Sequence, residues 1–240
     1  MSPCPVGCVA STRHSLHGGT STAWRARRAM LGFFFVTLAP AAFASQAFAF
    51  QADPCLSPAQ DISVLETSFA AQGWQAVDGP NDPVIDALAW IGMPQYFAGD
   101  SGGQSKAYVL DLKRKTAEGY FRKKDLPNSK TRILNRTTDA GTEVLLVSWL
   151  RTSLDHINIT CDFAVSPDTA AEIRAKQPPP VYKSGFSRLP TVTDTSLGRA
   201  SAVQIVFLDR TALEKQLNTQ VPASAIVSTS LSYNAKDIKP

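Results

Sequence analysis

The alternation of apolar and polar residues is clearest in the middle of the chain, between Val144 and Val165. From Ile157 onward every second residue is apolar and the types favour strands, which predicts a strand with one buried face. Val144–Leu150 is almost continuously apolar, as in a strand covered on both faces. The polar segment Arg151–His156 between them predicts a hairpin loop. The pattern therefore predicts a hairpin with Cys161 on its apolar face.

Helix start signals occur at several other places. Ser57, Asp82 and Ser166 each precede a proline, and a capping residue followed by proline favours a helix start. Gly73 and Gly92 are the stop signals of the first two of these helices. The predicted helices cover residues 58–72, 82–91 and 167–176, and a fourth follows the Thr211-x-x-Glu214 capping box.

Shorter alternating segments predict further strands. They are Tyr108–Leu112, Arg132–Asn135, Val203–Phe207 and Val227–Tyr233. Serines interleave with the apolar residues of the last segment, and we expect them to face water. The charged segment Lys113–Lys124 fits either a hairpin turn or a short helix.

These elements together predict an α+β fold. We expect an antiparallel or mixed sheet with helices packed on one side, because the strands look like hairpins and not like βαβ units. The length after residue 49 suits a single domain covering 50–240. The stiff Pro178–Pro180 connector marks a possible lobe boundary at 177–182.

Residues 1–49 have the parts of a secretory signal peptide. A positive segment at Arg25–Arg28 precedes an apolar stretch, Leu31–Ala44, and Ala47-Phe48-Ala49 is a small-x-small cleavage site. Cleavage there would leave Phe50 first; cleavage after Ala44 is the second choice. We predict a periplasmic or secreted bacterial protein, exported by the Sec route or, because of Arg27-Arg28, by the twin-arginine route. A retained membrane anchor and an upstream mis-start of translation are the alternatives.

The net charge of +4 comes from this leader. Four arginines and no acidic residue precede residue 50, so basic and acidic residues balance in the rest of the chain. The overall charge therefore gives no reason to expect a nucleic-acid partner.

Cleavage would also remove Cys4 and Cys8, which leaves Cys55 and Cys161. Two cysteines in an exported chain most simply form one disulfide, with two free thiols as the alternative. We expect no metal site, since only His156 remains as a histidine ligand, and no cofactor, since no nucleotide-binding motif occurs.

The string GDSGG at Gly99–Gly103 resembles the nucleophile segment of trypsin-like serine proteases. That mechanism needs a histidine base upstream of the serine, whereas His156 lies downstream. The order Ser101, Asp139, His156 fits a different, small serine hydrolase, which we keep as the alternative function. The other interpretation of GDSGG is a polar loop.

Basic residues are concentrated between Lys106 and Arg136, with ten basic against three acidic residues. Such a segment could contact an anionic envelope component such as a lipid headgroup, lipopolysaccharide or an acidic protein, or could be an ordinary solvated face. The predicted contact residues are Lys113, Arg114, Lys115, Tyr120, Arg122, Lys123 and Lys124. We therefore expect a non-catalytic envelope accessory or binding protein, or else a structural partner in a larger envelope complex.

Overall fold

The computed structural model describes residues 52–97, 105–152, 154–196 and 199–237. Its helices are α1 (Ile62–Ala70), α2 (Asp82–Ile91), α3 (Pro94–Phe97), α4 (Lys106–Arg122), α5 (Pro167–Lys176) and α6 (Arg210–Leu217). Its strands are β1 (Gln75–Ala76), β2 (Ser129–Thr138), β3 (Gly141–Arg151), β4 (His156–Val165), β5 (Phe186–Arg188), β6 (Val192–Asp194), β7 (Ala200–Leu208) and β8 (Ala225–Asn234). The predicted signal peptide lies outside the described residues and stays a prediction.

All eight strands join one antiparallel sheet. The order is β1-β2-β3-β4-β8-β7-β5, and β6 also pairs with β7. Strands on both sides of Pro178–Pro180 therefore belong to the same sheet. The α+β class predicted from the sequence is confirmed.

The central hairpin is the one that the alternation predicts. Val147 of β3 lies opposite Cys161 of β4, and Leu145 lies opposite Phe163. These four side chains are buried in the same hydrophobic cluster, because alternate residues of paired strands share a face.

Helices cover both faces of the sheet, so the prediction of helices on one side is wrong in this respect. One face packs against α1 and α5, and the other packs against α2, α4 and α6. The reason is visible in β3, where Val144–Val147 is buried without interruption and so presents apolar side chains to both layers.

The segment before α1 is fastened to the first of these faces. A disulfide joins Cys55 to Cys161, with 6.1 Å between their Cα atoms, as the sequence predicts. The Tyr233 hydroxyl accepts a hydrogen bond from the Ala59 amide at 2.8 Å and donates to the Ala59 carbonyl at 2.6 Å. Trp149 donates to the same carbonyl at 3.2 Å, so three side chains of the sheet hold this segment.

The strand predicted at Tyr108–Leu112 is instead the first part of helix α4. Val109 breaks the apparent alternation, and with Leu110 and Ala117 it forms a buried stripe at helical spacing. Tyr108 and Leu112 are exposed. Of the two interpretations of Lys113–Lys124, the helix is confirmed up to Arg122.

Two predicted helix starts are wrong. Helix α1 begins at Ile62, where Asp61 accepts a hydrogen bond from the Ser63 amide, and Ser57 instead donates to Asp53 in a short 3-10 turn. Helix α6 is capped by Asp209, which accepts from the Ala212 amide, so Thr211 is not the cap. The predicted starts of α2 and α5 are confirmed to within one residue.

Among the described helices, none combines the length and the apolar character that crossing a bilayer requires.

Candidate functional site

The basic segment does not form one positive surface. Several of its cations are paired with carboxylates from elsewhere in the chain, at distances that permit charge-assisted hydrogen bonds. These pairs are Arg114 with Asp86, Lys130 with Asp61, Arg132 with Glu66, and Arg136 with Glu143. The local excess of positive charge is therefore largely neutralised by tertiary contacts.

The seven predicted contact residues divide into three groups around α4. Lys115, Arg122, Lys123 and Lys124 are exposed on the outside. Arg114 is bound to Asp86 at 2.7 Å. Lys113 and Tyr120 lie on the inward side, where they line a cavity between α4 and the sheet.

This cavity has a volume of about 290 Å³. Its floor is a row of residues that lie opposite one another across four strands: Leu146 of β3, Asp162 of β4, Ser228 of β8 and Gln204 of β7. Because paired residues of a sheet point to the same side, the strand register brings a carboxyl, a hydroxyl and an amide together.

The wall of the cavity is the inward face of α4. Lys113, Thr116 and Tyr120 follow one another at spacings of three and four residues, which places them on one side of the helix. The opposite wall comes from the end of α2 and from Pro94. A group of polar side chains is thus enclosed at an interface where the neighbouring residues Val206 and Ile226 are buried and apolar.

Lys113 reaches the cavity across Gly92. A Cβ atom at position 92 would lie 2.9 Å from Cδ of Lys113, so the missing side chain makes room for the lysine. The ammonium lies 4.7 Å from the centre of the Tyr96 ring and close to the C-terminal end of α2, two environments that favour a cation. Within the described residues it forms no ion pair with a carboxylate.

The pKa values of Asp162 and Tyr120 are both raised. Burial raises the pKa of Asp162, and a hydrogen bond with Ser228 offsets part of that rise. Burial also raises the pKa of Tyr120, and the nearby charge of Asp162 adds to it. The carboxyl and the phenol therefore belong to one electrostatic site.

The hydrolase alternative is not supported where the structure describes its residues. Asp139 is in the turn before β3 and His156 follows the turn after β3, so the eleven residues of that strand separate them. At about 3.3 Å per residue the separation is roughly 30 Å, far beyond a hydrogen bond. Asp139 therefore cannot orient His156. Ser101 lies outside the described residues.

Sequence reasoning missed Asp162, Gln204 and Ser228. The alternation places Asp162 on the polar side of a strand with one buried face, and it predicts that Ser228 faces water. One signal was present: aspartate is unfavourable in the middle of a strand, and Asp162 stands in the middle of β4.

In the described parts of the chain, no group of three or more histidine, cysteine, aspartate or glutamate side chains is placed to hold a metal ion. No protein-family model, no curated protein and no solved structure matches this chain.

Proposed function

We propose that this chain is an exported binding protein that holds a small polar molecule in the cavity between α4 and the sheet. One observation carries the proposal. Polar side chains from a helix and from three neighbouring strands converge on one cavity, which lies beside a buried apolar cluster. Concave sites in which a few polar groups converge beside apolar side chains are typical of small-molecule sites.

The energetics of the site support the same proposal. Burying a carboxyl and a phenol costs free energy unless each group finds a partner, and the raised pKa values of Asp162 and Tyr120 reflect that cost. Within the part of the chain that the structure describes, Ser228 is the neighbour that lowers the pKa of Asp162, and Lys113 forms no ion pair with a carboxylate. A bound polar molecule would supply the missing interactions, which is why such unpaired groups cluster at functional sites.

Blocking the cavity tests this proposal. Thr116 is at the exposed rim of the cavity, so Thr116→Trp should close the entrance without disturbing the core. Lys115→Trp adds the same bulk to the outer side of α4 and is the matched control. We expect a metabolite library screened by thermal shift to yield a stabilising compound for the wild type and for Lys115→Trp, but not for Thr116→Trp. If the screen finds no compound that stabilises the wild type and Lys115→Trp but not Thr116→Trp, the proposal is wrong.

Export is part of the proposal and is supported by the disulfide. A disulfide between Cys55 and Cys161 is favoured in an oxidising compartment such as the periplasm. Fractionation of the native host, with intact-mass analysis of the product, tests both the location and the cleavage after Ala49. A full-length product in the cytoplasm would contradict it.

A second candidate function is contact with an anionic envelope surface. Its support is the outer side of α4 and the residues just after it, where exposed apolar side chains, Tyr108 and Leu112, accompany four exposed cations. Amphipathic surfaces of this kind associate with anionic lipids. The cations are Lys115, Arg122, Lys123 and Lys124.

Charge reversal tests the second candidate separately. Replacing Lys115, Lys123 and Lys124 by Glu should abolish salt-sensitive binding to vesicles that contain anionic phospholipid. Lys176→Glu, which reverses an exposed lysine at the end of α5, is the control. Unchanged vesicle binding by the triple variant, or none by the wild type, would contradict the surface role and leave the cavity proposal intact.

A further inference from the structure

We infer that the molecule held in the cavity is a small zwitterion, with a carboxylate that binds Lys113 and an ammonium that binds Asp162. This inference rests on the proposed function, because it names the ligand class of the same site. Its basis is that one cavity is lined by a cationic and an acidic side chain, Lys113 and Asp162, that form no ion pair with each other.

The cationic end of the site is preorganised. Gly92 leaves space for the aliphatic part of Lys113, and the Tyr96 ring and the end of α2 hold its ammonium in place. A lysine that lines a cavity and that forms no ion pair with a carboxylate of the described residues is suited to bind an anionic group by charge-assisted hydrogen bonds.

The acidic end lies on the floor. Asp162 is fixed by strand pairing on both sides, with Leu146 on β3 and Ser228 on β8. Ser228 is the neighbour that stabilises its charged form, while burial opposes that charge. A ligand ammonium would remove this penalty, because an opposite charge nearby favours the ionised carboxyl.

Other residues of the site can orient such a ligand. Gln204 and Ser228 provide neutral hydrogen-bonding groups on the floor, and Tyr120 provides a phenol on the wall. The cavity of about 290 Å³ is at the small end of the range of ligand pockets, about 300–1,000 Å³, so it suits a small ligand. Free amino acids have this size and carry both charges. A ligand with only one charge would leave either Lys113 or Asp162 without a counter-charge.

The experiment uses matched ligands and matched variants. Alanine, glutamine, norleucine and phenylalanine are titrated calorimetrically into the wild-type protein, followed by analogues of the tightest binder that lack one charge. For norleucine these analogues are hexanoate, without the amino group, and pentylamine, without the carboxylate. We expect each analogue to bind roughly tenfold to hundredfold more weakly than the zwitterion.

Two variants assign the charges to the two residues. In Lys113→Met the zwitterion and the amine should bind equally, and in Asp162→Asn the zwitterion and the carboxylic acid should bind equally. Thr116→Trp should abolish binding of all of them. Circular dichroism and thermal unfolding verify that each variant is folded.

The outcomes separate the two levels of the proposal. The zwitterion inference is wrong if the amino acids do not bind, or if they bind no better than their single-charge analogues. The binding function still stands in that case if another compound binds to the wild type and Thr116→Trp blocks its binding. If no compound of any class binds in that manner, both are wrong. Binding of the zwitterion that neither charge variant weakens also overturns the inference.

Discussion

Asp162 and Ser228 lie directly opposite each other on β4 and β8, and both face the cavity under α4. Ser228 partly offsets the effect of burial on the carboxyl, yet the pKa of Asp162 remains raised. The protein therefore maintains an acidic group at a position where ionisation is unfavourable, which has consequences that can be measured.

We predict that Asp162→Asn stabilises the folded protein at neutral pH. A pKa that is higher in the folded than in the unfolded state means that stability is lost as pH rises from the ordinary value of 3.8 through the folded value. The neutral amide avoids this loss, so the gain should be present at neutral pH and vanish below about pH 3.8. Urea unfolding at several pH values measures the effect.

Asp139→Asn is the matched control, since Asp139 is exposed in the β2–β3 turn. It should change the free energy of unfolding by less than about 0.5 kcal/mol. If Asp162→Asn destabilises the protein at neutral pH, the carboxyl of Asp162 stabilises the fold. It is then not a group that the protein keeps for ligand binding at a cost in stability.

We predict that Gly92→Ala weakens ligand binding with little effect on stability. Gly92 has a negative φ, which alanine adopts readily. The new Cβ would lie only 2.9 Å from Cδ of Lys113 and would therefore displace that side chain. The free energy of unfolding should change by less than about 1 kcal/mol, because only the flexible end of a lysine must move. Binding should fall toward the level of Lys113→Met, as measured by calorimetry.

Gly119→Ala is a suitable comparison for this substitution. It lies in α4 with nothing within 4 Å of an added Cβ, so it should leave binding unchanged. Equal binding by Gly92→Ala and the wild type would show that the position of Lys113 does not matter for recognition.

The buried pair of Glu143 and Arg136 leads to a prediction about acid stability. Glu143 accepts hydrogen bonds from the Ser166 amide at 3.1 Å and the Ser166 hydroxyl at 2.7 Å, and Arg136 bonds its other oxygen. Burial raises the pKa of Glu143, but hydrogen bonds from Thr169, Arg136 and Ser166 outweigh it, and the net pKa is lowered.

Glu143→Gln should therefore lower the free energy of unfolding by about 3–5 kcal/mol at neutral pH, as expected when a buried pair loses one charge. A lowered folded pKa contributes stability above the ordinary value of 4.5, and this contribution is lost as pH falls through the folded value. The stabilities of the variant and the wild type should begin to converge as the pH falls below about 4.5, and convergence should be complete only below the lowered pKa of folded Glu143. Denaturant titrations across pH measure this.

Glu66→Gln is the control for the charge change. Arg132 keeps Asp125 as a second partner at 2.8 Å, and Glu66 is partly exposed, so the cost should stay within about 1 kcal/mol. An equal cost for both variants would mean that burial of Glu143 adds nothing.

Removal of the disulfide should lower stability markedly. Cys55 and Cys161 are 106 residues apart, and a loop of this size is worth about 4–5 kcal/mol in the chain-entropy model. We expect a loss approaching that value for the Cys55→Ala, Cys161→Ala double variant in urea unfolding. Mass spectrometry of the native protein after alkylation provides the direct check, because two alkylated thiols at these positions would contradict the bond.

Several features of the protein follow from the sequence alone. Local alternation of apolar and polar residues predicts the hairpin β3–β4, the face on which Cys161 lies and the α+β class. It does so because successive side chains of a strand point to opposite faces of the sheet, so that alternation separates a buried side from an exposed side. The disulfide follows from cysteine number once the leader is excluded. The strand predicted at Tyr108–Leu112 is wrong because a short apolar run satisfies both a period of two and a helical stripe.

The partners of the charged residues were decided by the tertiary structure. Lys130 pairs with Asp61 and Arg114 with Asp86, across 69 and 28 residues of sequence. The sequence shows a basic segment and cannot show which distant carboxylates approach it. The cavity has the same origin: Asp162, Ser228 and Gln204 meet only because β4, β8 and β7 are neighbours in this register. Local patterns determine which elements form, whereas a site made from several elements depends on how those elements pack together.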